Sequence, residues 1–278
     1  MSVKRSEISI VTVPTRPLVR YHGGKWKLAK WIIANMPQHR TYVEPFGGGA
    51  SVLLRKPRSY AEVYNDLDGE MVNLFRVVRD QGEELRRRLE LTPFSRSEYM
   101  AARSSDADVI KVARKTIIRS FMGFGSDSIN HNSGFRANNN RSGTTPAHDW
   151  KKYPMVLSAI IARLQGVVIE CRDAIEVMTQ QDGIDTLHYV DPPYLHSTRT
   201  NTRKNSYKYE LIDEDHTNLL MFLQRLTGKV LLSGYDNTMY HDMLTGWKCV
   251  KRNTYADGAR QRTEILWINP LAADCLER

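Results

Sequence analysis

The sequence predicts an α/β protein, and three observations carry that prediction. Short β-branched apolar runs alternate with longer segments of helical periodicity, the pattern of a sheet with crossover helices. One apolar run ends in a triple glycine, Gly47, Gly48 and Gly49, a turn that lets backbone approach a ligand closely and opens onto a helix N-terminus. Another ends in Asp191-Pro192-Pro193-Tyr194, where two prolines fix φ and remove two ladder donors.

Seven strand candidates follow in order: 41–44, 61–65, 166–171, 186–190, 229–233, 247–251 and 264–268. A helix is expected over 27–36, stopped by Pro37, and another from Ser51 after the glycines. The interval 69–153 reads as helices without strands. We therefore divide the chain into an α/β domain, 1–68 with 154–278, and an inserted helical domain, 69–153. Inside the insertion Lys111, Arg114, Lys115 and Arg119 recur at helical spacing as a basic face, with Ile110, Ala113, Ile117 and Phe121 as an apolar one. Residues 126–145 hold five asparagines and no core-forming periodicity, so they read as a polar loop. A second polar segment, after Tyr194, carries Arg199, Arg203, Lys204 and Lys208 with Tyr207 and Tyr209 interleaved. It reads as a solvated surface loop; a segment closing on a phosphate backbone is the alternative.

Composition narrows the classes further. The 278 residues are 41% hydrophobic and 26% charged, which excludes a disordered or coiled-coil chain as the main description. No apolar run reaches the about 18 residues that suggest a membrane helix. Lys4 and Arg5 precede only a short apolar run broken by Ser9 and Thr12, which argues against a signal peptide. Cys171, Cys249 and Cys275 form no CxxC pair, so neither a disulfide framework nor a zinc knuckle is expected, and a reducing cytoplasm fits. No two histidines sit at ligand spacing on one helix, and no metal is expected. The net charge of +9 points toward a polyanionic partner.

Four motifs carry chemistry. The glycine turn, in Glu44-Pro45-Phe46-Gly47-Gly48-Gly49, does not match the dinucleotide fingerprint GxGxxG, which disfavours a nicotinamide or flavin and leaves another nucleoside-type ligand. Asp66 follows at the next strand end, where an acid holds a ribose diol, two acceptor oxygens meeting two vicinal hydroxyls. An N-cap is the alternative for Asp66, and Asp68 can fill that role. In Asp191-Pro192-Pro193-Tyr194, a carboxylate, rigidly aimed carbonyls and an aromatic face make a platform for a planar ring bearing an amine. Acceptors on both amine protons draw its lone pair out of conjugation, through positioning and electrostatics. Tyr21-His22-Gly23-Gly24-Lys25 adds a glycine-flanked aromatic and lysine.

In this order the motifs resemble the Dam-like DNA adenine-N6 methyltransferases, as does the ending 258–268, and the likeness extends from about Leu18 to Pro270. The resemblance implies a Rossmann-like class I methyltransferase fold with a mostly helical inserted target-recognition domain. It implies S-adenosylmethionine as donor, held by Tyr21, Lys25, Glu44, Phe46, Gly47, Gly49, Asp66, Asp173 and Asp191. Lys25 touching DNA, and Asp173 serving as a helix cap, are the alternatives at those positions. Asp191, Pro192, Pro193 and Tyr194 would bind and activate an adenine rotated out of double-stranded DNA. Lys111, Lys115, Arg119, Arg136, Asn138, Arg141, Arg199, Arg203 and Lys204 are the candidate DNA contacts, with Arg136, Asn138 and Arg141 as base readers. The insertion departs from the family's pattern at residue level, so no recognition sequence follows, and specificity ranges from one site to weak. A monomer is expected, in the cytoplasm of a bacterial or phage-infected cell and associated with the nucleoid, in a phage-borne, restriction-linked or housekeeping role. The rival readings are an RNA guanine-N2 methyltransferase and a catalytically silent DNA-binding regulator of the same fold. The absence of a Pro-Cys pair disfavours a cytosine-C5 methyltransferase.

Overall fold

A computed structural model describes residues 13–137, 143–199, 207–255 and 261–277. Seven strands form one sheet: β1 (Thr41–Glu44), β2 (Ala61–Asn65), β3 (Val167–Glu170), β4 (Thr186–Val190), β5 (Lys229–Tyr235), β6 (Lys248–Tyr255) and β7 (Gln261–Ile268). Their order is β3-β2-β1-β4-β5-β7-β6. The first five are parallel, and β7 runs antiparallel to both β5 and β6. Strand β4 is buried at every position, as a central parallel strand covered on both faces must be. The Rossmann-like α/β expectation holds, and each sequence candidate overlaps its strand.

The helices are α1 (Ala29–Ala34), α2 (Gly69–Asp80), α3 (Gly82–Glu90), α4 (Arg96–Ala101), α5 (Val109–Met122), α6 (Pro146–Leu164), α7 (Ala174–Gln181), α8 (Asp213–Leu223), α9 (Thr238–Met243) and α10 (Pro270–Glu277). Several begin where side-chain oxygens take orphan amides. Asp68 accepts from Glu70 N on α2, Asp108 from Ile110 and Lys111 N on α5, and Thr145 from His148 N on α6.

No α-helix follows the glycine turn among these elements. Residues 51–55 make successive turns, with only Leu54 N to Ala50 O and Lys56 N to Val52 O at helical spacing. Leu53 N is taken by the carboxylate of Glu44 at the end of β1, and Pro57 forbids continuation. This corrects the helix expected from Ser51.

Helices α2 to α6 form the helical block, and α2 packs on β3. Helix α6 runs unbroken through position 154, because Trp150 and Tyr153 before it share one core with Leu157, Ile160 and Leu164 after it. That core also holds Tyr42 and Tyr64 of the sheet. Ile110, Ala113, Ile117 and Phe121 of α5 are buried in it, as their spacing predicts. A second core, with Val190, Leu220, Leu232 and Trp267, joins β4, β5 and β7 to α8.

Strand order reverses between β1 and β4. Ligands of open α/β sheets bind in the crevice outside the strand ends at such a switch point. β1 ends at Glu44 and β4 at Val190, one residue before Asp191, so the reversal brings the glycine turn and the Asp191 turn together.

Candidate active site

A cleft open to solvent lies at this switch point. The glycine turn floors it and is stitched to the end of β2. Gly47 N donates to Asn65 O at 2.7 Å, Gly48 N to Asp66 Oδ2 at 2.7 Å, and Tyr64 OH to Gly48 O at 3.0 Å. Two glycines are required by what surrounds them. A Cβ on Gly47 would lie 2.2 Å from the Tyr64 ring, and Gly48 has φ of 46° with the Tyr21 ring beside it.

Glu44 ends β1 and is buried. Its Oε2 accepts from Tyr42 OH and from Leu53 N, each at 3.1 Å. Burial outweighs these bonds and pushes its carboxyl up to about 8. Asp66 accepts Asp68 N on Oδ1 at 2.8 Å and Gly48 N on Oδ2. Burial raises it to about 6 against those two donors. Each oxygen keeps acceptor capacity toward the cleft. Asp68, not Asp66, caps the helix, and its carboxylate also receives Lys208 Nζ at 2.8 Å.

The opposite wall is the turn after β4. Asp191 Oδ1 lies 3.0 Å from Lys25 Nζ, and that ammonium also donates to Gly23 O at 2.8 Å. It stands 4.6 Å from the centre of the Tyr194 ring, a cation–π distance. Burial raises Asp191 above the usual carboxylate range, and Lys25 opposes the shift. Burial works to lower Lys25, yet the Asp191 and Glu264 carboxylates hold it above its ordinary value. Tyr194 OH donates to Glu264 Oε2 at 2.9 Å. Pro193 lines the cleft, and Pro192 is buried beneath it.

The third wall was not foreseen. Tyr207, Lys208, Tyr209 and Leu211 line the cleft from the segment read as a surface loop. The Tyr207 hydroxyl occupies the space a Cβ on Gly23 would need, and its ring meets His22 edge-on at 5.1 Å. Arg199 pairs with Glu210 at 2.8 Å and sits over Tyr207. The aromatics interleaved with cations were the available signal.

Of the residues expected around a donor, Tyr21, Lys25, Glu44, Phe46, Gly47, Gly49, Asp66 and Asp191 line this one cleft. Asp173 is exposed and caps α7 through Ile175 N and Glu176 N; its neighbour Ala174 lines the cleft.

The cleft's residues lie within one matched stretch. A family model for D12 class N6 adenine-specific DNA methyltransferases matches residues 21–255. The chain belongs to that family. It is an enzyme that methylates DNA adenine, and the family implies a methyl donor. The RNA guanine-N2 and silent-regulator readings are not favoured. Two curated relatives agree in kind. Type II methyltransferase M.MjaIII of Methanocaldococcus jannaschii is 22% identical over 257 residues, 82% of this chain and 87% of its own. Type II methyltransferase M1.LlaDCHI of Lactococcus lactis subsp. cremoris is 26% identical over 284 residues, 91% and 95%.

The methyltransferase's expected DNA contacts scatter. The basic stripe of α5 is not one solvent face, which corrects the periodicity reading. Arg119 is buried, pairs with Glu70 and donates to Ala102 O at 3.0 Å. Lys115 pairs with Asp106 at 3.1 Å, and Arg114 with Glu98. Lys111 is exposed. Helix α5 packs among α2, α3, α4 and α6, so neighbouring acids and carbonyls reach cations that the wheel assigns to water. Arg136 is half-buried and donates to Phe121 O at 3.0 Å. Asn138, Arg141, Arg203 and Lys204 lie outside the described residues. Among the described residues no group of His, Cys, Asp or Glu is arranged to hold a metal, and no helix is long and apolar enough to cross a membrane. Glu264 was missed as a site residue. Its signal was a lone carboxylate directly before the apolar run 265–268.

Proposed function

We propose that this methyltransferase uses S-adenosylmethionine and methylates the N6 amine of an adenine rotated out of duplex DNA. The observation that carries the reading is that Asp191 and Lys25 pair on the wall of the cleft at the sheet's switch point, with the Tyr194 ring packed directly behind Lys25. The residues present suit the donor. Asp66 has acceptor capacity for ribose hydroxyls, Tyr21 and Phe46 supply apolar wall, and Glu44 gives a carboxyl beside the glycine turn for a cationic amino acid head. Asp173 keeps its helix-capping bonds in this reading, and Ala174 faces the ligand.

When bound, S-adenosylmethionine supplies an electrophilic methyl. Asp191 and the Pro192 carbonyl accept the two amine protons of the adenine, and Tyr194 stacks on the ring. By localising the amine lone pair, Asp191 and the Pro192 carbonyl would leave the nitrogen free to take the methyl that the donor would supply in line. The amine then sheds one proton, which Asp191 takes; burial raises its proton affinity. Rotating the base costs a few kcal/mol, offset by the stack and the new hydrogen bonds. The helical block and the loop that follows α5 read the target, with Lys111 and Arg136 as contacts from the described part. The enzyme acts as a cytoplasmic monomer in this reading, and the type II relatives support a restriction-linked setting.

The test is transfer of labelled methyl from S-adenosylmethionine to unmethylated genomic DNA, with modified bases read at nucleotide resolution. N6-methyladenine at one short motif, or spread over many contexts, is the expected product. Label in structured RNA alone, or in neither, overturns the reading.

A further inference from the structure

We infer that Glu264 is a positioning residue for Tyr194, gripping the phenol so that the ring stands square to the incoming base. This rests on the reading of Tyr194 as the stacking face. Glu264 is buried on β7 next to the apolar run 265–268. A buried carboxylate is costly without hydrogen-bond partners. Its partner is Tyr194 OH at 2.9 Å, seventy positions away in sequence.

The rest of the grip comes from the same ladder. Tyr235 on β5 is the register partner of Glu264 on β7. Its ring meets Tyr194 edge-on, with centres 4.6 Å apart and planes at 80°, a favourable aromatic geometry. Arg262, two residues before Glu264 and so on the same face of β7, donates to Tyr235 OH at 2.8 Å. Tyr194 is thus held at its hydroxyl by Glu264, at its edge by Tyr235, and on its face by Lys25 Nζ at 4.6 Å. A carboxylate only accepts, so the phenol must donate; this fixes the direction of the bond and with it the ring. The turn after β4 carries Tyr194 with no regular element of its own. An aromatic on such a turn keeps one orientation only if neighbouring strands impose it.

The test uses Glu264→Ala, Glu264→Gln, Tyr194→Phe, Tyr194→Ala and the double variant Glu264→Ala with Tyr194→Phe in the full chain. Turnover and the KM for S-adenosylmethionine are measured beside the thermal unfolding midpoint. Glu264→Ala is expected to lower kcat up to about a hundredfold, the scale of an ångström's misplacement, with the donor KM within about twofold. Glu264→Gln keeps an acceptor and is expected to restore kcat to within about fivefold. In the Tyr194→Phe background Glu264→Ala adds less than about a twofold loss, because the bond it breaks is already gone. Additive losses, a Gln variant as poor as Ala, or wild-type kcat in a folded Glu264→Ala protein would each overturn the inference. If the alanine variant unfolds at assay temperature, Glu264→Leu replaces it, filling the space without an acceptor. Loss of turnover in Tyr194→Ala with none in Glu264→Ala removes this inference alone. Full turnover in Tyr194→Ala removes the stacking reading as well.

Discussion

Two buried clusters in this protein are built from the same residue types and are spent differently. In one, Glu62 on β2 receives Lys56 Nζ at 2.7 Å and both terminal nitrogens of Arg163 at 2.6 and 2.8 Å. Two cations share one acid. Burial works to raise that carboxyl, yet the hydrogen bonds from Arg163 and Lys56 hold it below the usual range. Lys56 spends its remaining donors on Ser59 Oγ and Pro57 O. In the other, Lys25 faces both Asp191 and Glu264, Arg262 bears on Glu264 as well, and burial lifts both carboxyls. The first cluster is closed and ties β2 to α6. The second sets two acids against two cations, where the first sets one acid against two, and it opens on the cleft through Asp191 and Lys25. The charge ratio, rather than burial or residue type, separates a structural ion pair from one able to receive an incoming N–H donor.

The largest effect that sharpens this contrast is at the open cluster. Asp191→Ala is expected to lower turnover by about a thousandfold, the upper scale for losing one preorganised polar contact in an active site. The unfolding midpoint should hold or rise, since Glu264 still faces Lys25 and a costly buried acid is gone. Labelled-methyl transfer and thermal unfolding on the same preparation check both halves; retained turnover breaks the comparison. At the closed cluster the signs exchange. Glu62→Gln strands two buried cations and should cost about 3–5 kcal/mol of stability by urea unfolding. Turnover per folded molecule, measured below the transition, stays unchanged. A variant that unfolds normally but has lost turnover would show that the two clusters are not separable.

The smallest effect is a pH dependence in the donor site. Asp66, raised to about 6 by burial, accepts ribose hydroxyls best when ionised. As pH falls through 6 the carboxyl protonates and loses acceptor capacity. The dissociation constant for S-adenosylmethionine should therefore climb toward tenfold per pH unit between about 6 and 5 if only the ionised form binds. Glu44, pushed to about 8, is already protonated in that window and adds no slope. Titration calorimetry on Asp66→Asn should return a flat profile; a wild-type slope in that variant excludes Asp66 as its source.

Much of the fold was legible in the chain. The central strands β4 and β5 were readable because parallel strands covered on both faces are continuous apolar runs. Gly47 to Gly49, Asp66 and Asp191 to Tyr194 were readable because strand ends carry ligand groups in α/β sheets. Periodicity failed on α5. It reports which side chains share a helix face, but the acid that meets Arg119 is Glu70, forty-nine positions back on another helix. The helix expected from Ser51 failed for a kindred reason, since its Leu53 amide belongs to Glu44 on β1.

Local chemistry therefore settled the element order, the turns that end β1 and β4, and the residue types a nucleoside ligand and an amine require. Those features depend on side-chain pattern and backbone constraints that act over a few positions. Folding alone settled that Lys25 stands between Asp191 and Tyr194, that Tyr207 walls the cleft, and that Glu264 holds the Tyr194 hydroxyl. These pairings join positions dozens to more than a hundred residues apart. They exist because the sheet reverses its order between β1 and β4 and then adds an antiparallel strand, β7, beside β5.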